Sequence, residues 1–290
     1  MTFNEGGSFE GGRVQSRRGG KGVAVGGGIG ALVVAVVAAV WGVDLSSAVN
    51  GLSGGASEEQ STVARCTAEQ ANADRACRLS GTARSLDAYW SQALPAAGLT
   101  FAEPGVVEFA DATSTGCGQA SSATGPFYCP PDQAIYMDLT FFDELRTSYG
   151  ATGGPLAEMY VTAHEYGHHV QQLTGVMDTA ERGGTGATSD SVRVELQADC
   201  YAGIWTGHAA QTVNPSTGVT FLAPITPQEL ADALSAAAAV GDDHLQQQSG
   251  GGVDRDSWTH GSSEQRQRWF TTGYEQGTLA ACDTFAASEL

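Results

Sequence analysis

Two histidines and a glutamate are spaced so that they could bind a metal ion and activate water. His164, Glu165 and His168 occur together in the run His-Glu-Tyr-Gly-His. On a helix, residues four apart lie on one face, so both imidazoles can reach one zinc ion at about 2.0–2.1 Å. Glu165 is turned by about 100° from His164 and stays outside the row of ligands. There its carboxylate can accept a proton from a metal-activated water, as a general base does.

The residues around this pattern indicate that it lies on a helix. Apolar side chains recur there at three- and four-residue steps: Leu156, Met159, Tyr160, Ala163, Val170 and Leu173. This periodicity predicts a helix over about 155–173. We therefore predict that His164 and His168 are zinc ligands and that Glu165 is the catalytic base. The alternative is a pair of helix histidines hydrated at the surface.

A third ligand is expected, because catalytic zinc keeps three protein ligands and one open position. Glu195 and Asp199 are four apart in a second predicted helix, over about 192–205, that is otherwise rich in apolar residues. Two acids that face inward are costly unless they are paired or metal-bound. We predict Glu195 as the third ligand and Asp199 as the residue that orients the ring of His164 or His168. Exchanged roles for the two acids, and a solvated acidic face, are the alternatives.

One further histidine could take part in catalysis. His260 stands just before the last predicted helix, where it could donate a hydrogen bond to the oxyanion of a tetrahedral intermediate. The ordinary alternative is a helix-capping or surface histidine. The alternating run over 134–140 predicts a strand, which could be a sheet edge that pairs with an extended substrate or an interior strand.

Charge argues against nucleic acid as a partner. The chain of 290 residues has a formal net charge of -18, and its acids are concentrated after residue 22. An acidic domain repels nucleic acid at long range.

An uncharged apolar stretch over 22–43 predicts a transmembrane helix, since 22 residues cover roughly 33 Å at about 1.5 Å per residue. Basic residues before it predict a cytoplasmic tail over 1–21 and a domain outside the cytoplasm. A Gly- and Ser-rich linker follows over 44–62, and the domain covers 63–290. A cleaved signal peptide is the alternative to a single-pass cell-membrane anchor.

An even number of cysteines fits an exported domain that carries disulfides. Six cysteines allow 15 connectivities, so spacing alone leaves the pairing open. Local closure makes two short pairs the simplest and leaves one long pair: Cys66–Cys77, Cys117–Cys129 and Cys200–Cys282.

Several helical segments with a small sheet before them predict an α+β domain. The clearest start signal is Thr226-Pro227-Gln228-Glu229, which combines a capping box with proline at the first helical position. A similar cap at Ser262 starts the last predicted helix.

Four motifs together resemble the neutral zinc metallopeptidase family of membrane-anchored bacterial proteins: HEYGHHVQ, ELQADCYAGIW, CGQASSATGPFYCPPDQAIYMDL and THGSSEQRQRWF. The resemblance covers nearly all of the chain after residue 60. It implies a zincin-like fold, one zinc ion per chain and a peptide substrate, and it supports Glu195 as a ligand. More distantly, the histidine motif and the downstream Glu-x-x-x-Asp resemble thermolysin-like zincins, which use a downstream histidine as expected here for His260.

These observations predict a membrane-anchored zinc-dependent endopeptidase that hydrolyses peptide or protein substrates with a zinc-activated water and Glu165 as general base. Two alternatives remain open. One is a non-hydrolytic zinc-binding scaffold or peptide-binding module, against which the intact Glu165 argues. The other is a zinc amidase that acts on cell-wall peptides.

Overall fold

The computed structural model describes residues 2–18, 59–181, 183–250 and 252–290. Within these residues, no helix combines the length and the apolar character needed to cross a bilayer. The transmembrane helix predicted over 22–43, and most of the linker predicted over 44–62, lie outside the described residues.

The fold is α+β, mostly helical with small sheets, as predicted. A five-stranded sheet has the order β3-β2-β5-β9-β8; β5 runs parallel to both β2 and β9, and the two outer pairs are antiparallel. Two further sheets have two strands each, β1 with β4 and β6 with β7. The strands are β1 (Ser8–Phe9), β2 (Gln15–Arg18), β3 (Glu59–Thr62), β4 (Cys66–Thr67), β5 (Gly105–Ala110), β6 (Ala112–Thr115), β7 (Gly118–Ser121), β8 (Phe127–Cys129) and β9 (Ala134–Asp138).

Strand β9 therefore lies inside the sheet, between β5 and β8. All five of its residues are buried, which fits the interior-strand alternative. The edge next to it is formed by β8, so of the two alternatives that the sequence left open the structure has the interior strand. Alternation of polar and apolar residues could not decide this, because it does not show which neighbour pairs on the outer side.

Residues 2–18 belong to the folded domain, whereas the sequence predicted a separate cytoplasmic tail over 1–21 and a domain start at residue 63. Phe3, Phe9 and Val14 are buried in the main core, and β2 lies between β3 and β5. Arg18 is the pairing partner of Glu59 across the β2–β3 ladder. A single membrane crossing between residues 18 and 59 would place these two strands on opposite sides of the bilayer, which is incompatible with their pairing.

The helices form the larger part of the domain and surround the site described below. The element bounds are α1 (Ala68–Ala73), α2 (Arg75–Ala96), α3 (Phe141–Thr147), α4 (Pro155–Leu173), α5 (Val176–Thr179), α6 (Asp190–Ala209), α7 (Pro227–Ala239), α8 (Asp242–Gln248) and α9 (Ser263–Gln276). Short 3-10 turns cover Ser122–Thr124, Pro130–Asp132, Arg255–Ser257 and Leu279–Cys282.

Local signals start these helices where the sequence placed them. The capping box of Thr226 and Glu229 forms at α7 with Pro227 at its first turn, and Ser262 caps α9 by accepting from the backbone N–H of Gln265. Such caps satisfy backbone N–H groups that have no partner inside the helix.

Glycines let the central helices approach closely. A methyl group at Gly167 of α4 would lie 2.9 Å from the carbonyl oxygen of Ala198 in α6, and one at Gly203 of α6 would lie 2.0 Å from that of Phe270 in α9. Both distances are shorter than real side-chain contacts allow, so a larger residue would push the helices apart. The glycine inside the histidine motif thus brings the helix of Glu195 next to the helix of His164.

Three disulfides close the domain: Cys66–Cys77, Cys117–Cys129 and Cys200–Cys282. These are the pairs that local closure favours. The third joins α6 to the 3-10 turn near the C-terminus.

Candidate metal centre

The two predicted imidazole ligands and the predicted carboxylate meet at one point. Helix α4 presents His164 and His168 one turn apart, and α6 presents Glu195 opposite them. His164 Nε2 lies 3.1 Å from one carboxylate oxygen of Glu195, and His168 Nε2 lies 3.5 Å from the other. The three possible ligand atoms all lie within 4.8 Å of one another, and all three residues are buried. This His/His/Glu cluster is able to bind a metal ion.

The Nδ1 atoms of the two imidazole rings bond to two different kinds of group. His164 Nδ1 lies 2.7 Å from Asp199 Oδ1, whereas His168 Nδ1 lies 2.9 Å from the amide oxygen of Gln171. The structure thus places Asp199 on His164, a choice that the sequence left open. An ionised carboxylate only accepts, so His164 carries a proton on Nδ1, and Nε2 is the nitrogen that faces Glu195 and would be available to a metal ion.

Arg266 completes the support of Asp199 and was missed by the sequence analysis. Its Nε and Nη2 atoms donate to the two oxygens of Asp199 at 2.8 and 3.0 Å. Tyr160 adds a donor to Asp199 Oδ1. Arg266 lies four residues before the fully buried Phe270, on the same face of α9. That spacing was the available signal that this arginine points inward.

Charges in the cluster compensate one another. Burial lowers the pKa of His168 to about 4, so this ring is neutral and able to bind metal. Burial by itself also lowers the pKa of His164, but the adjacent Asp199 and Glu195 outweigh it and raise the value to about 10. Conversely, burial raises the pKa of Glu195, and His168 and His260 more than reverse this effect and lower it. Neighbouring positive charge thus stabilises the buried carboxylate of Glu195, and a divalent cation at this site could also provide it.

Glu165 has the properties of a buried base. Its Oε2 atom is buried without a hydrogen-bond partner among the described residues. Burial raises its pKa from an ordinary 4.5 to about 7. A carboxyl group with a raised pKa beside a possible metal site is a typical candidate for general acid–base chemistry.

The structure brings His260 into the same cavity, where it is 9% exposed. Asp242 Oδ2 accepts from the backbone N–H groups of Thr259, His260 and Gly261 at 2.7–2.9 Å, and its Oδ1 lies 3.5 Å from His260 Nδ1. Burial lowers the pKa of His260, but Glu195 and Asp242 together raise it. The helix cap is Ser262, so His260 is not a capping residue.

The cavity has a polar floor and apolar walls. The floor is formed by the cluster, Glu165, His260 and Arg266, and the volume is about 100 Å³. The apolar lining residues come from α3, α4, α8 and the connecting loops: Pro126, Phe141, Tyr149, Val161, Val240 and Leu245. Space for a nonpolar side chain thus lies directly beside the cluster.

Two imidazole nitrogens and one carboxylate oxygen are a donor set that suits zinc, and three protein ligands are the number found in catalytic zinc sites. Glu165, with an unpartnered buried oxygen on the same cavity, supports this assignment.

An α+β fold that holds two histidines of a His-Glu-x-x-His helix against a glutamate of a following helix defines the class of zincin-like metallopeptidases. Comparison with known proteins agrees. The chain belongs to the family described as "Putative neutral zinc metallopeptidase", whose profile matches residues 4–285. This match includes most of the N-terminal segment that the structure places in the domain.

The relatives are uncharacterized proteins. A protein of Mycobacterium tuberculosis H37Rv and one of Mycobacterium bovis are each 50% identical over 224 residues, which cover 77% of this chain and 75% of each relative. The protein YpfJ of Escherichia coli K12 is 41% identical over 268 residues, 90% of this chain and 88% of that protein. No solved structure matches the chain.

Proposed function

We propose that this protein is a zinc-dependent endopeptidase, with His164, His168 and Glu195 as metal ligands and Glu165 as general base. The observation that carries the proposal is the convergence of both Nε2 atoms on the Glu195 carboxylate, beside the unpartnered carboxylate oxygen of Glu165. When bound there, zinc would supply Lewis-acid polarisation of a carbonyl and a lowered pKa for water.

The protein's own groups then have distinct tasks. Glu165 accepts the proton of the attacking water and afterwards delivers it to the departing nitrogen. His260 donates a hydrogen bond to the substrate carbonyl oxygen, on which negative charge develops. Asp242 raises the pKa of His260 and helps to orient its ring.

The cavity walls favour a peptide over a more polar amide. Apolar groups such as Phe141, Tyr149 and Val161 line the space beside the cluster, so a large apolar side chain next to the scissile bond would be buried there. A non-hydrolytic scaffold would need the ligands but not Glu165, whose buried carboxylate is costly to maintain.

The three disulfides favour an oxidising compartment, and we place the domain outside the cytoplasm. The apolar stretch over 22–43 would attach it to the membrane. The backbone pairing of Arg18 with Glu59 supports the proposal that both segments that flank this stretch lie on the extracytoplasmic side, so that the stretch would enter the membrane without crossing it. This proposal differs from the cytoplasmic N-terminus expected from the basic residues.

The function is tested by separating metal binding from hydrolysis. Glu165→Gln should keep one zinc per chain and lose cleavage of an unfolded protein, whereas His164→Ala should lose the metal. Glu264→Gln, which changes an exposed acid in the same way, serves as the matched control and should behave like the parent.

Parallel incubations with purified cell wall, with and without chelator, distinguish a peptidase from a cell-wall amidase. If Glu165→Gln cleaves as fast as the parent, the assigned base is wrong. If the parent binds zinc but cleaves neither substrate, the scaffold alternative is favoured.

A further inference from the structure

The two histidine ligands are supported in unequal ways. His164 is held by the anion of Asp199, which Arg266 and Tyr160 fix in turn. At the corresponding Nδ1 atom, His168 bonds instead to the neutral amide of Gln171, at 2.9 Å. An amide can present either its oxygen or its nitrogen, so the orientation of this side chain decides which nitrogen of His168 carries the proton.

The orientation of Gln171 is set by two acceptors. Its Nε2 atom donates to the carbonyl oxygen of Val194 at 2.7 Å and to Gln197 Oε1 at 3.0 Å. These contacts turn the amide oxygen towards His168. The proton of His168 then lies on Nδ1 and its Nε2 lone pair faces Glu195. The reversed amide would place a donor against Nδ1 and a proton on Nε2, which would block metal binding at that atom.

The amide of Gln197 could likewise take either of two orientations, and a hydrogen bond to the C-terminal segment determines which one it takes. Its Nε2 atom donates to the carbonyl oxygen of Cys282 at 3.0 Å, so its own oxygen is turned towards Gln171. Both amide side chains are buried, at 0% and 4% exposure. Water therefore has little access to these two amides and could not readily replace a lost hydrogen-bond partner.

The end of this chain of hydrogen bonds is covalently fixed. Cys282 is bonded to Cys200, the residue that follows Asp199 in α6. Both sulfur-bearing residues are fully buried. Thr284 further ties the same segment to α6 by donating to the carbonyl oxygen of Arg193 at 2.7 Å. The disulfide thus holds the acceptor that orients Gln197.

We propose that Gln171 is a positioning residue for His168, and that the C-terminal segment at Cys282 sets its orientation through Gln197. The inference rests on the proposed metal site and adds that zinc retention depends on the Cys200–Cys282 disulfide. Loss of an outer hydrogen-bond partner of a metal ligand typically weakens metal affinity about 10- to 100-fold.

The test measures zinc affinity by competition with a chromophoric chelator and site geometry by the absorption spectrum of the Co²⁺-loaded protein. Gln171→Met keeps the side-chain length without its hydrogen bonds and should weaken zinc binding about 10- to 100-fold. Gln171→Glu keeps an acceptor for His168 but places a second acceptor against the carbonyl oxygen of Val194 and Gln197 Oε1, so it should recover only part of that loss. Gln172→Met, at the half-buried neighbour that bonds to Tyr128, is the control and should match the parent.

The disulfide arm compares Cys200→Ala/Cys282→Ala with Cys66→Ala/Cys77→Ala. We expect weaker zinc binding and an altered Co²⁺ spectrum in the first pair only, with the fold of each variant checked by circular dichroism. The inference is overturned if Gln171→Met binds zinc as the parent does, or if both disulfide variants lose zinc equally. A parent that binds no zinc overturns the proposed function as well, whereas a zinc-binding parent with unaffected Gln171→Met refutes this inference alone.

Discussion

Replacing Glu165 with glutamine should stabilise the metal-free protein increasingly as the pH rises, while it abolishes hydrolysis. The Glu165 side chain is buried, and burial raises its pKa from 4.5 to about 7. A carboxyl group whose pKa is raised by folding is neutral in both states below about pH 4.5. Its contribution to stability is therefore fully present there and is lost as the pH rises through about 7.

The size of the effect follows from the two pKa values. Each tenfold change in the proton equilibrium is worth about 1.4 kcal/mol, so the difference between 4.5 and about 7 corresponds to roughly 3 kcal/mol above pH 8. Glutamine does not titrate, so the variant does not lose stability in this way as the pH rises. Because its amide is also buried without a matched partner, the variant carries a constant cost of about 1–3 kcal/mol. The diagnostic quantity is therefore the change with pH rather than the offset.

The assay is urea unfolding of the metal-free protein, with disulfides intact, at pH 5, 6.5 and 8.5. The free energy of unfolding of Glu165→Gln minus that of the parent should increase by about 2–3 kcal/mol between pH 5 and 8.5. Glu264→Gln, at an exposed position, should show no such trend. Saturating zinc should reduce this increase of the stability difference with pH, because the bound cation compensates the negative charge of the buried Glu165 carboxylate.

A constant difference between the two proteins at all three pH values would refute the reasoning. It would mean that Glu165 ionises in the folded protein as it does in the unfolded chain, so that burial would not raise its pKa into the range of a general base.

Three further predictions concern the cavity and the chain topology. Asp242→Asn should lower kcat roughly tenfold or more with unchanged zinc content, because His260 loses the neighbouring anion that raises its pKa and orients its ring. An unaltered kcat would show that His260 does not contribute to catalysis. Val161→Trp adds bulk to the apolar wall of the cavity. It should lower kcat/KM about tenfold or more for peptides with Phe or Leu beside the cleaved bond, but much less for peptides with Gly there. Equal losses for both kinds of peptide would contradict an apolar subsite. Single cysteines introduced at the exposed positions Glu10 and Glu289 should both react with a membrane-impermeant maleimide in cells whose outer barrier is permeabilised and whose inner membrane is intact. Protection of position 10 alone would indicate a cytoplasmic N-terminus.

Local patterns were sufficient for the parts of the site that belong to one helix. The i and i+4 spacing of His164 with His168, and of Glu195 with Asp199, is a property of helix geometry alone. The caps at Thr226 and Ser262 are equally local, since their partners lie three residues away. For this reason the sequence predicted the donor set and the α+β class.

Contacts between residues that are far apart in the sequence could not be predicted from such local patterns. Arg266 meets Asp199 across 67 residues, and Asp242 meets His260 across 18 residues. The basic N-terminus shows the limit most clearly. Arg13 suggested a cytoplasmic flank by its charge, yet in the fold it donates to the buried Asp87 at 2.6 Å.

The sequence by itself determined which residues could bind a metal, because helical periodicity and residue chemistry are encoded within a few neighbouring positions. Only the tertiary structure decided which histidine Asp199 supports, that Gln171 supports the other, and that residues 2–18 join the domain. These outcomes depend on how closely α4, α6 and α9 pack at their glycines and on backbone pairing between remote strands. No short stretch of sequence specifies such distances, since they arise only when the whole core is buried together.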